Sequence, residues 1–379
     1  MIYLDYNATT PLDPQVAAAM TDVMTRCYGN PSSNHAAGRA SRQAIDSARA
    51  EVARFLGAAP AEVVFTSGGT EANNHALMGA AWARRDSGRH ILISSVEHPA
   101  VTEVCRHLAT RGFEFSTLPV DHHGRVRPEQ AAAAMRDDTS IVSVMLANNE
   151  VGTLQPIAEL AALAREKGAL MHTDAAQAVG KIPVDFHALG VDLLSVAGHK
   201  FYGPKGVGAL LIRDGVSLEN LMHGAGHEGG RRPGTENILE IVGLGAACRL
   251  ARQDLATEAE KLRGLRDQLQ TELLAAFPAA VVHGHPQQRL PNTLSISFPG
   301  LVADAIMAAM PDVAVSAGAA CHGGGPVASR VLQAMGVDNE LALGTLRISL
   351  GRMTTEEEVR EGAAAIGTAI RTVQQRRGL

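Results

Sequence analysis

Two residues in this chain have the types and settings that could carry covalent chemistry: Lys200 in LLSVAGHKFYGPKGVGALLI and Cys321 in VAVSAGAACHGGGPVASRVL. A lysine amine becomes a nucleophile when its surroundings lower its pKa, and it then condenses with an aldehyde cofactor to a Schiff base. Lys200 follows an apolar strand-like run and sits beside His199; Lys205, in a glycine–proline setting, is the competitor and reads as a loop lysine. Cys321 is flanked by Gly318, Gly323, Gly324 and Gly325, a stretch expected to pack loosely and let a thiol swing into a pocket and out again. His322 either assists it or is ordinary surface. Cys27, Cys105 and Cys248 stand in helical or apolar contexts and read as small buried hydrophobes.

Other motifs offer what an aldehyde cofactor with a pyridine ring and a phosphate would need. Asp174 ends the apolar run GALMHTD; it suits a protonated pyridine nitrogen, or equally caps a following helix. Gln177, one turn on, is placed for the cofactor's phenolic oxygen. FTSGGTEANN reads as strand, glycine turn and helix, so Gly69, Thr70 and the amides there form an anion site; the alternative is a plain cap by Thr70 and Glu71. No GK[ST] follows, so a phosphate other than a nucleoside triphosphate is expected. His98 in SSVEHPAV lies just past a strand, where an imidazole can stack on the ring and move protons. Asn148 and Asn149 close MLANNEVGT, either satisfying backbone groups or orienting a substrate carboxylate. Arg347, inside the strand-like TLRISLG, would grip a carboxylate or form a structural ion pair.

Short apolar runs alternating with helical patterns predict βαβ units and a mostly parallel sheet, with these motifs at the strand C-terminal ends. After about Ile238 the pattern changes to a long charged helix, then strands AAVVHG, NTLSISF and LRISLG. The 379 residues exceed one ordinary core. The expected division is a large domain over 15–252 and a small α+β domain made of 1–14 and 253–379. The net charge of −5 argues against nucleic acid and anionic membranes as partners. Scattered cysteines argue against a zinc site, so no metal is expected. The opening MIYLDYNATTP has no basic or long apolar segment, and no run suits a membrane span; a cytoplasmic protein is expected.

Taken together and in order, LDYNATTPLDP, YGNPSSNH, FTSGGTEANN, SVEHPAV, NNEVG, HTDAAQAVGK, GHKFYGPKG, RRPGTENI, SAGAACH and RISLGRMTTEEE resemble the class I, NifS/IscS-type cysteine desulfurases over essentially the whole chain. The resemblance implies the α/β fold type I of pyridoxal 5′-phosphate (PLP) enzymes, aspartate aminotransferase-like. It implies that Lys200 carries the PLP, that His98 stacks on it, and that Asp174 and Gln177 contact its ring. Gly69, Thr70 and His199 would serve the phosphate, with Asn149 in the cofactor and substrate sites. Thr235 would complete the phosphate site of a neighbouring subunit, giving a homodimer. Asn149 and Arg347 would hold the substrate carboxylate, and Cys321 would take the sulfur of L-cysteine as a persulfide for an acceptor protein. Ala197 departs from the family, which commonly has a serine three residues before the lysine. That departure, shared with selenocysteine lyases, makes L-selenocysteine an alternative substrate. An aminotransferase of the same fold has no use for Cys321.

Overall fold

The structure, a computed structural model, describes residues 1–322 and 325–377; the side chains of residues 319–326, Cys321 among them, lie outside that description. Its centre is a sheet of strands β2 (Val63–Thr66), β3 (His90–Ser94), β4 (Glu114–Leu118), β5 (Thr139–Ser143), β6 (Leu170–Asp174), β7 (Leu193–Ala197) and β8 (Gly208–Ile212), after a two-residue β1 (Ile2–Tyr3). The sheet order is β2-β8-β7-β6-β5-β3-β4. β3 to β7 run parallel to one another, and β8 runs antiparallel to both β2 and β7.

The short apolar runs make these strands because all but the edge strand β4 bury both faces. Successive side chains point to opposite sides of a strand. Ile91 and Ile93 therefore enter one core with Ala72, Ala76 and Leu77 of the helix Gly69–Ala83, while Leu92 enters another. Leu193, Leu210 and Ile212 join the first; Leu194, Val196, Ala209 and Leu211 join the second. The second core also takes Ile45, Val52 and Leu56 of the helix Ala36–Phe55, and Leu244 and Cys248 of the 39-residue helix Ile238–Ala276.

That long helix leaves one core and enters a third. Its later residues Leu262, Leu265, Leu269 and Leu273 pack with Leu294, Ile296, Leu346, Ile348, Ile366 and Ile370. The strands there are β9 (Val281–His283), β10 (Thr293–Ser297), β11 (Val313–Ala314), β12 (Ser316–Ala317), β13 (Ala319–His322), β14 (Gly325–Ala328) and β15 (Thr345–Ser349). An antiparallel sheet orders them β12-β15-β10-β9, and β13 pairs antiparallel with β14. The stretch expected to be irregular around Cys321 thus runs as strand on both sides of 323–324. The N-terminal arm returns to this region: Ile2 and Tyr3 pair with Val313 and Ala314, and Asp5 bridges to Ser349. No helix among the described residues is long and apolar enough to cross a membrane.

Gly180, between Gln177 and Lys181, is a point where the backbone cannot accept a side chain. Its φ is +77°, and a Cβ there would lie 2.4 Å from Phe201 Cβ. Gly180→Ala is expected to destabilise the protein by about 1–3 kcal/mol through left-handed strain and overpacking. Denaturant unfolding checks this; a midpoint equal to wild type would contradict it.

Candidate active site

Five C-terminal strand ends open on one cavity of about 340 Å³. Past β2 come Gly69 and Thr70; past β3, His98; past β5, Asn149; from β6, Asp174 and then Gln177; and from β7, Ala197, His199 and Lys200. Asn7 and Ala8 of the N-terminal arm and Arg347 of β15 complete the lining. Catalytic groups collect at such strand ends because the helix starts and loops there face a common crevice.

Lys200 Nζ donates to the backbone oxygens of Asn7 and Ala8, each at 2.8 Å. Burial, and then the positive charge of Arg347, lower its pKa from 10.5 to about 8, against the opposing pull of Asp174 and Asp5. The neutral amine, the form that attacks an aldehyde, is therefore reached at a much lower pH than for an ordinary lysine. Lys205 is exposed and lines a different, shallower opening beside Gly68, Thr70 and His199. The geometry favours Lys200 between the two.

Asp174 is buried; its Oδ2 accepts from Asn73 Nδ2 at 2.7 Å and its Oδ1 from Ala176 N at 2.9 Å. No helix follows for Asp174 to cap; it closes a turn instead, and the carboxylate also lines the cavity. His98 caps the helix Pro99–Ala109, Nδ1 accepting from Ala100 N at 3.1 Å, which leaves the neutral ring's proton on Nε2. The surrounding protein lowers its pKa by desolvation, and Lys200 lowers it further, although the ring is exposed at the cavity mouth. His199 falls to about 4, first by burial and then by repulsion from Lys200, Lys205 and Lys181, so it serves as a neutral ring.

The alternative reading of Thr70 as a plain cap is not what starts the helix Gly69–Ala83. Gly68 is the N-cap, with φ +152° and ψ −179°, a conformation essentially confined to glycine. Thr70 lies inside the first turn and is exposed toward the cavity. The first capping bond runs from Ala72 N to Gly68 O, downstream of the Gly69, Thr70 and Glu71 amides. Glu71, which would repel an anion, is instead paired with Arg232 at 2.9 Å and accepts from Ser67 N. The Gly69, Thr70 and Glu71 amides are thus left outside the helix's own ladder, beside an acid whose charge is already paired. Ala197 contributes only a methyl group here, 3.2 Å from where a Gly69 Cβ would stand.

Of the two readings of Arg347, the structure shows the ion pair. Its Nη2 pairs with Asp5 at 2.8 Å and donates to Ser316 Oγ at 2.7 Å, while its buried Nε has no partner and the side chain lines the cavity. Asn149 also lines the cavity, and its carbonyl accepts from Arg347 Nη1 and Asn7 Nδ2. Asn148 is structural: buried, it caps a turn by accepting from Glu150 N and Val151 N. Thr235 is exposed and outside the cavity. Cys105 and Cys248 are buried, and burial raises both thiols, Cys105 to about 12.

Sequence reading missed Asn7, Ala8, Asn73 and Lys181. Asn73 follows Thr70 by three residues on a helix and faces the same side, a spacing that could have found it. Asn7 and Ala8 reach the site only because the N-terminal arm crosses to it.

This cavity, with a low-pKa lysine on a seven-stranded, mostly parallel sheet, defines a fold type I PLP enzyme. Residues 2–361 match the family described as Aminotransferase class-V. The chain is 46% identical over 360 residues to a cysteine desulfurase IscS of Methanosarcina thermophila, covering 94% of this chain and 89% of that one. It is equally 46% identical to an IscS of Escherichia coli over 363 residues, with 94% and 90% covered. A solved NifS-like protein superposes with a TM-score of 0.92 at 38% identity, covering 98% of this chain and 99% of the other. SspA in complex with cysteine superposes at 0.81 with 34% identity, covering 92% and 99%. The chain belongs to the class-V aminotransferase family and, within it, to the NifS/IscS-type cysteine desulfurases.

PLP is the cofactor of this family, and the donor set fits it: an amine for the aldehyde, a carboxylate beside an imidazole for the ring, and a helix start with a neutralised acid for the phosphate. The depressed lysine pKa sets a testable pH dependence. In protein freed of cofactor, the rate at which Lys200 condenses with an aldehyde should rise with pH and level off above about 8. A rise that continues to the ordinary lysine range, followed by aldehyde trapping and peptide mapping, would contradict the site's electrostatics.

Proposed function

We propose that this protein is a cysteine desulfurase that converts L-cysteine to L-alanine and leaves the sulfur on Cys321 as a persulfide. The observation that carries this reading is the Lys200 amine held free in a cavity that also presents Asp174 and an arginine with an unpartnered Nε. Bound PLP supplies the electron sink that makes the substrate's Cα proton removable. The chain's own residues do the rest. Arg347 and Asn149 grip the substrate carboxylate, so the amine faces Lys200. Lys200 would hold the cofactor through its amine and, when that amine is free, would move the Cα proton, with His98 Nε2 placed to relay protons at the cavity mouth. Cys321, as thiolate, attacks the substrate sulfur. A sulfur–sulfur bond forms as the carbon–sulfur bond breaks, and the carbon keeps that electron pair and is protonated to alanine.

Several finer readings belong to the same proposal. Gly69, Thr70 and His199 hold the phosphate, Gln177 contacts the phenolic oxygen, and residues 15–252 and 1–14 with 253–379 form two domains, in line with the separate cores. Thr235 serves the neighbour's phosphate in a homodimer; its exposure, and that of Tyr28 and Met24 at 81% and 61%, supports a covering second copy. The protein works in the cytoplasm and passes sulfur to an acceptor such as an iron–sulfur scaffold. Ala197 favours a second reading, a selenocysteine lyase, because it removes one hydroxyl from the phosphate side.

Cys321→Ser separates the two. A desulfurase loses cysteine turnover while still binding cysteine, seen as a change in the cofactor's visible absorbance; a lyase retains much of its selenocysteine activity. Normal cysteine turnover by Cys321→Ser would contradict the persulfide route.

A further inference from the structure

Behind two residues that line the cavity, Asn7 and Gln177, lies a second lysine that the proposed reaction does not use. Lys181 is 7% exposed and forms no ion pair among the described residues. Its Nζ donates to two neutral acceptors: Gln177 Oε1 at 2.6 Å and Asn7 Oδ1 at 2.9 Å. A buried lysine with no carboxylate is expensive, and a methionine would fill the same volume at less cost. Packing alone therefore does not explain it.

What Lys181 does follows from hydrogen-bond logic. The two ends of a glutamine amide are nearly the same size, and only partners decide which end faces where. The Asn7 carbonyl, which only accepts, takes Nε2, and the Lys181 amine, which has N–H groups to donate in either protonation state, takes Oε1; the two contacts together hold the amide in one orientation. Nε2 is then the end left for the rest. One of its hydrogens goes to the Asn7 carbonyl at 2.8 Å, the same oxygen that receives Lys200 Nζ. The other is free for the cavity that Gln177 lines. The Asn7 amide is sorted likewise: Oδ1 accepts from Lys181 and from Asn292 Nδ2, and Nδ2 donates to Thr293 Oγ1 and the Asn149 carbonyl.

We propose that Lys181 is a positioning residue that locks Gln177 so that the cavity presents an N–H donor, selecting and stabilising an anionic oxygen on the cofactor ring. This rests on the PLP reading above. A donor to the ring's phenolate stabilises the form in which that oxygen carries its full charge, and so lowers the pH midpoint of the cofactor's visible absorbance change. The groups facing this centre are Lys200, Asp174, His98, His199, Arg347 and Asp5, and all remain in the variants below.

The test is a pH titration of the visible spectrum of the PLP-loaded protein, without substrate, for wild type, Lys181→Met, Gln177→Leu and the double variant. Each single variant is expected to raise the midpoint by about half a unit or more, and the double variant to raise it no further than the larger single. Lys181→Arg, which keeps the donors, is expected to stay near wild type. If Lys181→Met does not fold, Lys181→Ala, which also removes the donors, carries the comparison, with a rise expected. An unchanged midpoint in the Lys181 variant, or single shifts that add in full, would overturn the inference. A colourless wild-type preparation would instead overturn the PLP reading itself.

Discussion

The site depends on one constraint: an amine must be kept buried without a carboxylate to hold its proton. Lys200 meets two backbone carbonyls, Asn7 O and Ala8 O, where a salt bridge would otherwise be expected. Carbonyl dipoles satisfy the N–H groups but stabilise a full positive charge less than a carboxylate does, and Arg347 adds repulsion. The amine is consequently aimed and close to its reactive form. Those carbonyls come from the N-terminal arm, which β1 and the Asp5 bridge anchor beside β15, the strand that carries Arg347. Cofactor lysine and substrate arginine are thus registered to each other through one short arm.

The second theme is how charges are managed around that amine. Asp5 neutralises part of Arg347 yet leaves Nε unpartnered. Arg232 neutralises Glu71 at the helix start that faces the cavity. Glu97, one residue before His98, is fully enclosed, and burial raises its carboxyl to about 8, so it sits mostly protonated near neutral pH, bonded to Ser94 and Met145 N. An additional negative charge is thereby kept away from the carboxylate that matters, Asp174.

Much of this was legible in the sequence. The strands of the seven-stranded sheet were, because all but the edge strand β4 are short apolar runs buried on both faces, and Lys200, Asp174, His98 and Thr70 stood out because each interrupts such a run at its end. One alternative failed for an identifiable reason. Thr70 offered a cap because hydroxyl plus acid is a common helix start, but Gly68 adopts a backbone conformation that needs no side chain. The pairing of β13 with β14 on either side of 323–324 is not marked in the sequence, where the glycines dominate. Asn7 and Lys181 were illegible for another reason: their roles arise between segments 174 residues apart, and nothing local marks them.

The central claim is that Lys200, and no other amine, holds the cofactor. Reducing the PLP-loaded protein with borohydride fixes the linkage permanently, and peptide mass mapping then locates it. The account predicts the pyridoxyl mass on the peptide containing Lys200, at that residue. The same mass on Lys205 or Lys181, with Lys200 unmodified, would contradict it.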